Sequence, residues 1–565
     1  MTLTQWLIFF LAVQLVHGLG TFKLYQKAGQ AGYKAFIPVY NLIVALAFLE
    51  RPKWWTILFF LPIINLILFP VLWIDLLYAF KKKPKSIEML WAILSLGLYL
   101  IPLNYASSTE FQTNRQKPEQ TKTGEWLSSL TFAVVAATLV HTYFLQPYAI
   151  PTGSLERTLR IGDFLIVSKF HYGARIPMTA VSTPMVHDTL PILKVKSYLK
   201  KPQIPYLRLP GIEKVKKNDI VVFNWPADTV RQFFVKEKGV KKPIDKKSNY
   251  VKRCVGTPGD TLEIIDGFVY INGVQLELDE RARPMYNHKV YSSKGVSPSL
   301  LVQADADDFS RKFIAENLTQ DQYNSLVPHL IGVNQTAEGN IELYTPGDGI
   351  PIAVLRENRI ALKEPLSTEI TANLTLAGAE FLAKHPSIDS VSMDLTPKGV
   401  SGYNIFPQND KYPWNEDQFG PIYLPKEGDE IELNLTTYPI YKKLLTEYEE
   451  NSIELVNGEF VVNGRPRERV NITKNYYWMM GDNRDHSEDS RSWGFVPEDH
   501  ILGKPIFIWM SWDHFNDGLL KMKPRWDRFF TTVKGPGQPQ SYLWVFILGL
   551  AGYFGFKAVR KRKKA

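Results

Sequence analysis

A single cysteine, Cys254, among 565 residues excludes an intrachain disulfide. A large domain outside the cytoplasm does without disulfides when its core is big enough, so the compartment stays open on this count. No Cys/His cluster has metal-ligand spacing, and no glycine-rich phosphate loop is present. The reading therefore contains no metal and no cofactor. Acidic residues number 56 against 66 Lys and Arg, a net charge of +10. Such a surplus suits nucleic acid, but the basic residues gather beside apolar runs, as KKKPK at 81–85 and as six of the nine residues of KAVRKRKKA at 557–565. That placement favours anionic lipid headgroups, and nucleic-acid binding is set aside.

Long apolar runs are what the chain does have. Segments at about 2–20, 54–80, 87–105 and 126–148 each approach the ~20 residues that span a bilayer as a helix. Residues 36–49 are shorter, carry an early proline, and read as interfacial or as half of a re-entrant pair with 54–80. A last span is expected over 541–559. The first segment lacks the basic start of a cleaved signal peptide and is read as a retained span. The basic tail at 557–565 should be cytoplasmic by the positive-inside rule. The polar middle, about 149–540, would then lie outside the cytoplasm. KKKPK conflicts with that rule if 87–105 crosses fully, so 87–105 is re-entrant or the charge bias is overridden there.

The middle reads as β-rich. DIVVFNW (219–225) is a short branched and aromatic run, and DGFVYING (266–273) and NGEFVVNG (457–464) share one pattern. In each, Asx-Gly, four mostly apolar residues and Asn-Gly predict a strand between two tight turns. The polar stretch between them, 275–455, is expected to be an insertion that returns the chain to the same sheet.

Three stretches carry candidate chemistry. PTGSLERTLRIGDF (151–164) follows a run from Trp126 to Tyr148 without Asp, Glu, Lys or Arg, and holds Ser154 behind Pro151 and Gly153. A serine there is a helix cap or turn residue, or a nucleophile waiting for a base. The ten histidines offer no triad context. In YVKRCVGTPGD (250–260), Lys252 is either a solvated strand residue or an amine in an apolar pocket, where desolvation makes it a base. Arg253 would stay solvated on the other face, and Cys254 reads as a small buried residue. GDNRDHSEDSRSWGFVP (481–497) is either a polar loop or a hydrogen-bonded network pairing Asp489 with Arg491.

These stretches, in this order behind an apolar span, resemble the serine, lysine and third boxes of the bacterial type I signal peptidases (leader peptidases), and DIVVFNWP is similar to a further box. The resemblance covers about 145–275 and 455–515. It implies a mainly β catalytic domain of antiparallel sheets, anchored by several transmembrane helices, whose apolar surface rests on the membrane. It further implies Ser154 as nucleophile and Lys252, as neutral amine, as general base. Thr152 stands where well-known members have a serine; its hydroxyl would join the Ser154 N–H on the oxyanion. Ser487 would hydrogen-bond Lys252, with Asp489 and Arg491 bracing the site. Ile150, Leu155, Leu159, Tyr250 and Val251 match positions that line the pockets for small substrate residues. In many members Met and then, after one residue, Pro follow the serine; here Leu155 and Arg157 occupy those places, and Arg157 puts the local backbone in question.

The expected organisation is an N-terminal multi-span region (1–125), an anchor (126–148), a catalytic domain in two parts (149–274 and 456–540) around the 275–455 insertion, and a last helix with its basic tail (541–565). The expected partners are preproteins bearing signal peptides and membrane lipid; the location is a bacterial cell membrane, multi-pass. The alternative is a non-catalytic membrane protein whose β domain and insertion bind a partner. The extra spans and the insertion motivate it, and the intact Ser154, Lys252, Ser487, Asp489 and Arg491 argue against it. A self-cleaving Ser-Lys regulatory protease is disfavoured by the spans and by the lack of a DNA-binding segment.

Overall fold

The computed structural model describes residues 2–81, 84–112, 122–228, 239–335 and 340–562. Lys82 and Lys83 of KKKPK and the last three residues of the basic tail lie outside them. The chain divides into two compact units. One comprises Met1–Pro147, Val167–Lys214 and Phe223–Asn249; the other comprises Tyr148–Ile166, Val215–Val222 and Tyr250–Ala565.

The first unit opens on the helix Leu3–Lys27, which starts with a capping box between Thr2 and Gln5. Its last turns pack into an apolar cluster with Leu46, Ile64, Leu76 and Leu77. Asn104, fully buried, completes that packing: its Oδ1 accepts from the Lys23 and Leu24 amides (2.8 and 3.0 Å) and its Nδ2 donates to the Leu19 carbonyl at 3.0 Å. A polar group so satisfied locks two helices at little desolvation cost.

Among the described residues, three helices are long and apolar enough to cross a membrane: Leu3–Lys27, Lys122–Tyr143 and Leu543–Arg560. The 54–80 and 87–105 runs do not form single spans. The first breaks into Trp55–Phe59 and Asn65–Phe80, with Ile63 between them at φ +71°. The second breaks into Ser86–Leu94 and Leu100–Tyr105 at Leu96 (φ +53°) and Gly97 (φ +85°). A side chain at 97 would meet the Trp73 indole at 2.5 Å, so glycine is required there both for its backbone and for its size. Hydropathy counts apolar residues and is blind to such left-handed breaks. Residues 36–49 hold only the nine-residue helix Tyr40–Phe48.

The second unit is built mainly of antiparallel sheet. The largest sheet to which it contributes includes, in order, Asp163–Ser168, Ile501–Asp513, Ile220–Asn224, Asn249–Gly256, Tyr476–Met480 and Val496–Pro497. DIVVFNW forms the strand Ile220–Asn224, which is buried along its whole length. DGFVYING and NGEFVVNG form the strands Phe268–Ile271 and Glu459–Val462, each between two-residue turns. All eight turn residues have positive φ, from 50° to 86°, the geometry that Asx-Gly adopts cheaply and that suits the strand twist. The two strands lie in different sheets, however. Phe268–Ile271 belongs to a four-stranded sheet with Phe419–Tyr423, and Glu459–Val462 to a three-stranded one. The turn chemistry specifies each hairpin and leaves its place in the fold to packing.

Between them, the described residues of 285–393 form a six-stranded antiparallel sheet of their own, ordered Gly332–Gln335, Ile341–Pro346, Asp308–Ala315, Glu369–Thr375, Met285–Tyr291 and Ser390–Met393. It has a separate core that includes Val290, Leu301, Leu374 and Leu382.

Candidate active site

The serine loop leaves the sheet at Ile150, whose amide donates to the Asp163 carbonyl (2.9 Å) and whose carbonyl accepts from Gly162 N–H (2.8 Å). Asp163 is itself buried and held by Ser511 Oγ at 2.6 Å and Arg528 Nε at 3.0 Å. From Gly153 the backbone coils through successive turns: Glu156 N–H donates to the Gly153 carbonyl (2.9 Å), and Thr158 and Leu159 N–H to the Leu155 carbonyl (3.0 and 2.7 Å). Leu155 and Leu159, each 1% exposed, anchor these turns in the core. Ser154 is left half-buried at the surface of the loop and Thr152 is exposed. Arg157 takes φ +66°, a conformation closed to proline, whose ring fixes φ near −65°.

Lys252 lies on the strand Asn249–Gly256, which pairs with Tyr476–Met480 through Arg253↔Met480 and Cys254↔Met479. It is 2% exposed. Its amine stands 5.6 Å from the centre of the Tyr250 ring, and Tyr250 meets Trp493 edge-on at 5.4 Å. Burial lowers the Lys252 pKa to about 8, against the opposing pull of the Asp489 and Glu488 carboxylates. Arg253 is not solvated. It is buried and grips Asp482 with Nε and Nη2, both at 2.7 Å. Consecutive residues from Lys252 to Gly256 are buried, so both faces of this end of the strand are covered, and a bidentate carboxylate satisfies the guanidinium. Cys254 is fully buried, and burial raises its thiol well above the ordinary range.

The third box ties these pieces together. Asp489 accepts from Arg491 Nε (3.0 Å), Arg491 Nη2 (2.9 Å) and the Gly481 amide (3.0 Å). Burial alone would raise the Asp489 carboxyl; Arg491, and then Lys252, hold it below the usual carboxylate range. Asn483 reaches the serine loop, its amide donating to the Ser154 carbonyl at 3.1 Å and its Nδ2 to the Gly153 carbonyl at 3.3 Å. Gly481 marks the closest approach: a Cβ there would lie 2.2 Å from Ser487 Oγ and 2.5 Å from the Ser154 carbonyl oxygen. Ser487 Oγ, read as the partner of Lys252, is buried and makes no hydrogen bond among the described residues. Tyr250 and Val251 are half-buried and Ile150 is buried.

Neither Asn483 nor the Arg253–Asp482 pair is evident from sequence alone. Both sit inside the quoted boxes, so their amide and carboxylate chemistry was visible without its geometry. Thr158, whose hydroxyl donates to Asp482 at 2.6 Å, is likewise a member of this network.

Comparison with known proteins places the site in context. The family described as signal peptidase, peptidase S26, matches residues 123–328 and 426–512, just over half of the chain. "Signal peptidase I" of Haemophilus influenzae is 23% identical over 420 residues, covering 73% of this chain and 76% of that protein. "Signal peptidase I" of Buchnera aphidicola subsp. Schizaphis graminum is 24% identical over 389 residues, 68% of this chain and 75% of its own length. That of Rickettsia massiliae is 27% identical over 171 residues, 30% of this chain and 51% of that protein. Residues 33–114 match a separate family of unknown function, DUF5684. The chain is a serine endopeptidase of mainly antiparallel β fold carrying apolar helices long enough to cross a membrane. It belongs to the signal peptidase family, peptidase S26.

Proposed function

We propose that this chain releases N-terminal signal peptides from secreted preproteins after small residues, with Ser154 as nucleophile and Lys252 as general base. The observation that carries the reading is Lys252, a buried lysine whose pKa of about 8 supplies neutral amine near physiological pH. A histidine triad needs a buried carboxylate to orient its imidazole; here it is burial that lowers the lysine amine, against the pull of the buried Asp489 carboxylate.

In the proposed reaction the neutral Lys252 amine takes the Ser154 hydroxyl proton as Oγ attacks the scissile carbonyl carbon. The Ser154 N–H and the Thr152 hydroxyl receive the charge that develops on the carbonyl oxygen. Lys252 then gives its proton to the leaving amine, the peptide bond breaks, and the signal peptide stays esterified to Ser154. Water, deprotonated by Lys252, attacks the ester and frees both the acid and the serine. Asp489 and Arg491 hold the loop that carries Ser487, whose hydroxyl, without a partner among the described residues, is available to orient the amine. Ile150, Tyr250 and Val251 would face the substrate's small residues, with Leu155 and Leu159 supporting them from below.

The same reading keeps 149–274 and 456–540 as the catalytic domain on the outer side of a bacterial cell membrane, with 275–455 inserted, 126–148 and 541–559 as its flanking anchors, 1–125 as a further membrane region, and the basic tail cytoplasmic against anionic lipid. The purified full chain should cut a preprotein at one site following a small residue. Replacing the alanine just before that site by leucine should lower kcat/KM by at least about 10²-fold, because a pocket built for a methyl group cannot close around a larger side chain. Equal cleavage of the leucine substrate would remove the small-residue specificity.

A further inference from the structure

The six-stranded sheet of residues 285–393 touches both loops of the site. Arg157, three residues after Ser154, is largely buried, its side chain 15% exposed. It ion-pairs through Nη1 with Asp305 at 2.9 Å and donates from Nη2 to the Ala306 carbonyl at 3.2 Å. Asp307 lies 3.9 Å from the same nitrogen. These three partners form the turn that leads into the sheet strand Asp308–Ala315. On the opposite loop, Met285 N–H donates to the Asp482 carbonyl and Arg484 N–H to the Met285 carbonyl, both at 2.9 Å, while Asn287 N–H donates to Asp485 Oδ2 at 2.6 Å. Met285 and Asn287 belong to the strand Met285–Tyr291. Glu369–Thr375 pairs with both this strand and Asp308–Ala315, so one rigid sheet grips the serine loop and the 481–491 loop at once.

The electrostatics favour the first grip. Glu156 and Asp307 are both raised by burial, and Asp307 pushes Glu156 up further; the Arg157 guanidinium works against both shifts. A non-glycine residue at φ +66° is also a strained state that its surroundings must hold. Without the guanidinium, the buried Glu156 carboxylate on the serine loop would face Asp307 on the sheet's turn with no cation between them, beside a strained backbone.

We infer that Arg157, seated on Asp305 and the Ala306 carbonyl, is a positioning residue through which the 285–393 sheet sets the placement of the Ser154 loop against the 481–491 loop, and so governs turnover rather than substrate binding. This rests on the proposed role of Ser154. Arg157 touches neither the substrate nor the reacting atoms in this scheme. A displacement on the order of 1 Å at a nucleophile lowers rate by up to about a hundredfold.

The test is a double-mutant cycle in the full chain, measuring preprotein cleavage, with Arg157→Ala, Asp305→Ala, the double variant and Arg157→Lys. Arg157→Ala should lower kcat about tenfold or more with KM unchanged. Asp305→Ala should lower kcat less, the double variant should be no worse than Arg157→Ala, and Arg157→Lys, which keeps the charge, should recover most of the rate. Amide exchange over residues 152–160 should quicken in Arg157→Ala and stay unchanged over 250–256. If Arg157→Ala does not fold, the largely exposed Asp305 carries the same comparison as Asp305→Asn against Arg157→Lys. A kcat within twofold of the parent in Arg157→Ala, losses that multiply in the double variant, or unchanged exchange over 152–160 would overturn the inference. A Ser154→Ala arm in the same assay separates the two readings. Cleavage retained by Ser154→Ala removes the nucleophile assignment, whereas a dead Ser154→Ala beside a fully active Arg157→Ala removes only the role of Arg157.

Discussion

Lys252→Ala should abolish preprotein cleavage, by at least about 10³-fold in kcat, and Lys252→Met should do so in a chain at least as stable as its parent. The first half follows from chemistry. A serine hydroxyl needs a base, and no other neutral amine is in the proposed scheme to serve Ser154. The second half follows from burial. Lys252 has a folded pKa of about 8 against an ordinary 10.5, so the unfolded chain binds its proton more tightly. Its protonation therefore opposes folding, fully below pH 8, and the opposition fades as pH rises through the window from 8 to 10.5. The cost at pH 7 is on the order of 3 kcal/mol. Lys252→Met, which keeps most of the side-chain volume, should accordingly raise Tm at pH 7 and raise it less at pH 9.5. Melting curves and cleavage rates on the same samples check both parts. A merely structural lysine would show the opposite pairing, with activity kept or lost together with stability.

Ser154→Ala should likewise lower kcat by at least about 10³-fold, with the loop intact. The turns from Gly153 to Leu159 are held by main-chain bonds and by the buried Leu155 and Leu159, and Asn483 reaches main-chain carbonyls. None of these contacts uses the Ser154 hydroxyl, so its removal subtracts the nucleophile and little else. Residues that act as one unit are strongly non-additive. The Ser154→Ala/Lys252→Ala double variant should therefore be no slower than either single variant. Rates that multiply would show two independent contributions in place of one dyad.

The parts of this architecture that sequence makes visible are those governed by local chemistry. The four Asx-Gly turns around DGFVYING and NGEFVVNG were readable because a two-residue hairpin demands positive φ, and these pairs supply it. The family was readable because the serine, lysine and Asp/Ser/Arg stretches keep their order. The apolar runs at 54–80 and 87–105 misled for a local reason too: single left-handed residues at Ile63, Leu96 and Gly97 end helices that composition alone would continue. Arg253 misled for a non-local reason. Strand alternation gives it a face, but only the assembled sheet decides whether that face meets water, and here it meets Asp482. The contact of Arg157 with Asp305 joins residues far apart in sequence, across a stretch that reads only as polar. Nothing in either segment announces the other.

The most direct test of the Ser154–Lys252 dyad is the pH dependence of covalent labelling by a serine-directed probe, with the adduct located by mass spectrometry. A single adduct on Ser154 is expected, with a labelling rate that rises with pH through a midpoint near 8 as the Lys252 amine loses its proton and no labelling of Lys252→Ala. An adduct on another residue, or labelling of Ser154 that is unchanged in Lys252→Ala, would contradict the dyad.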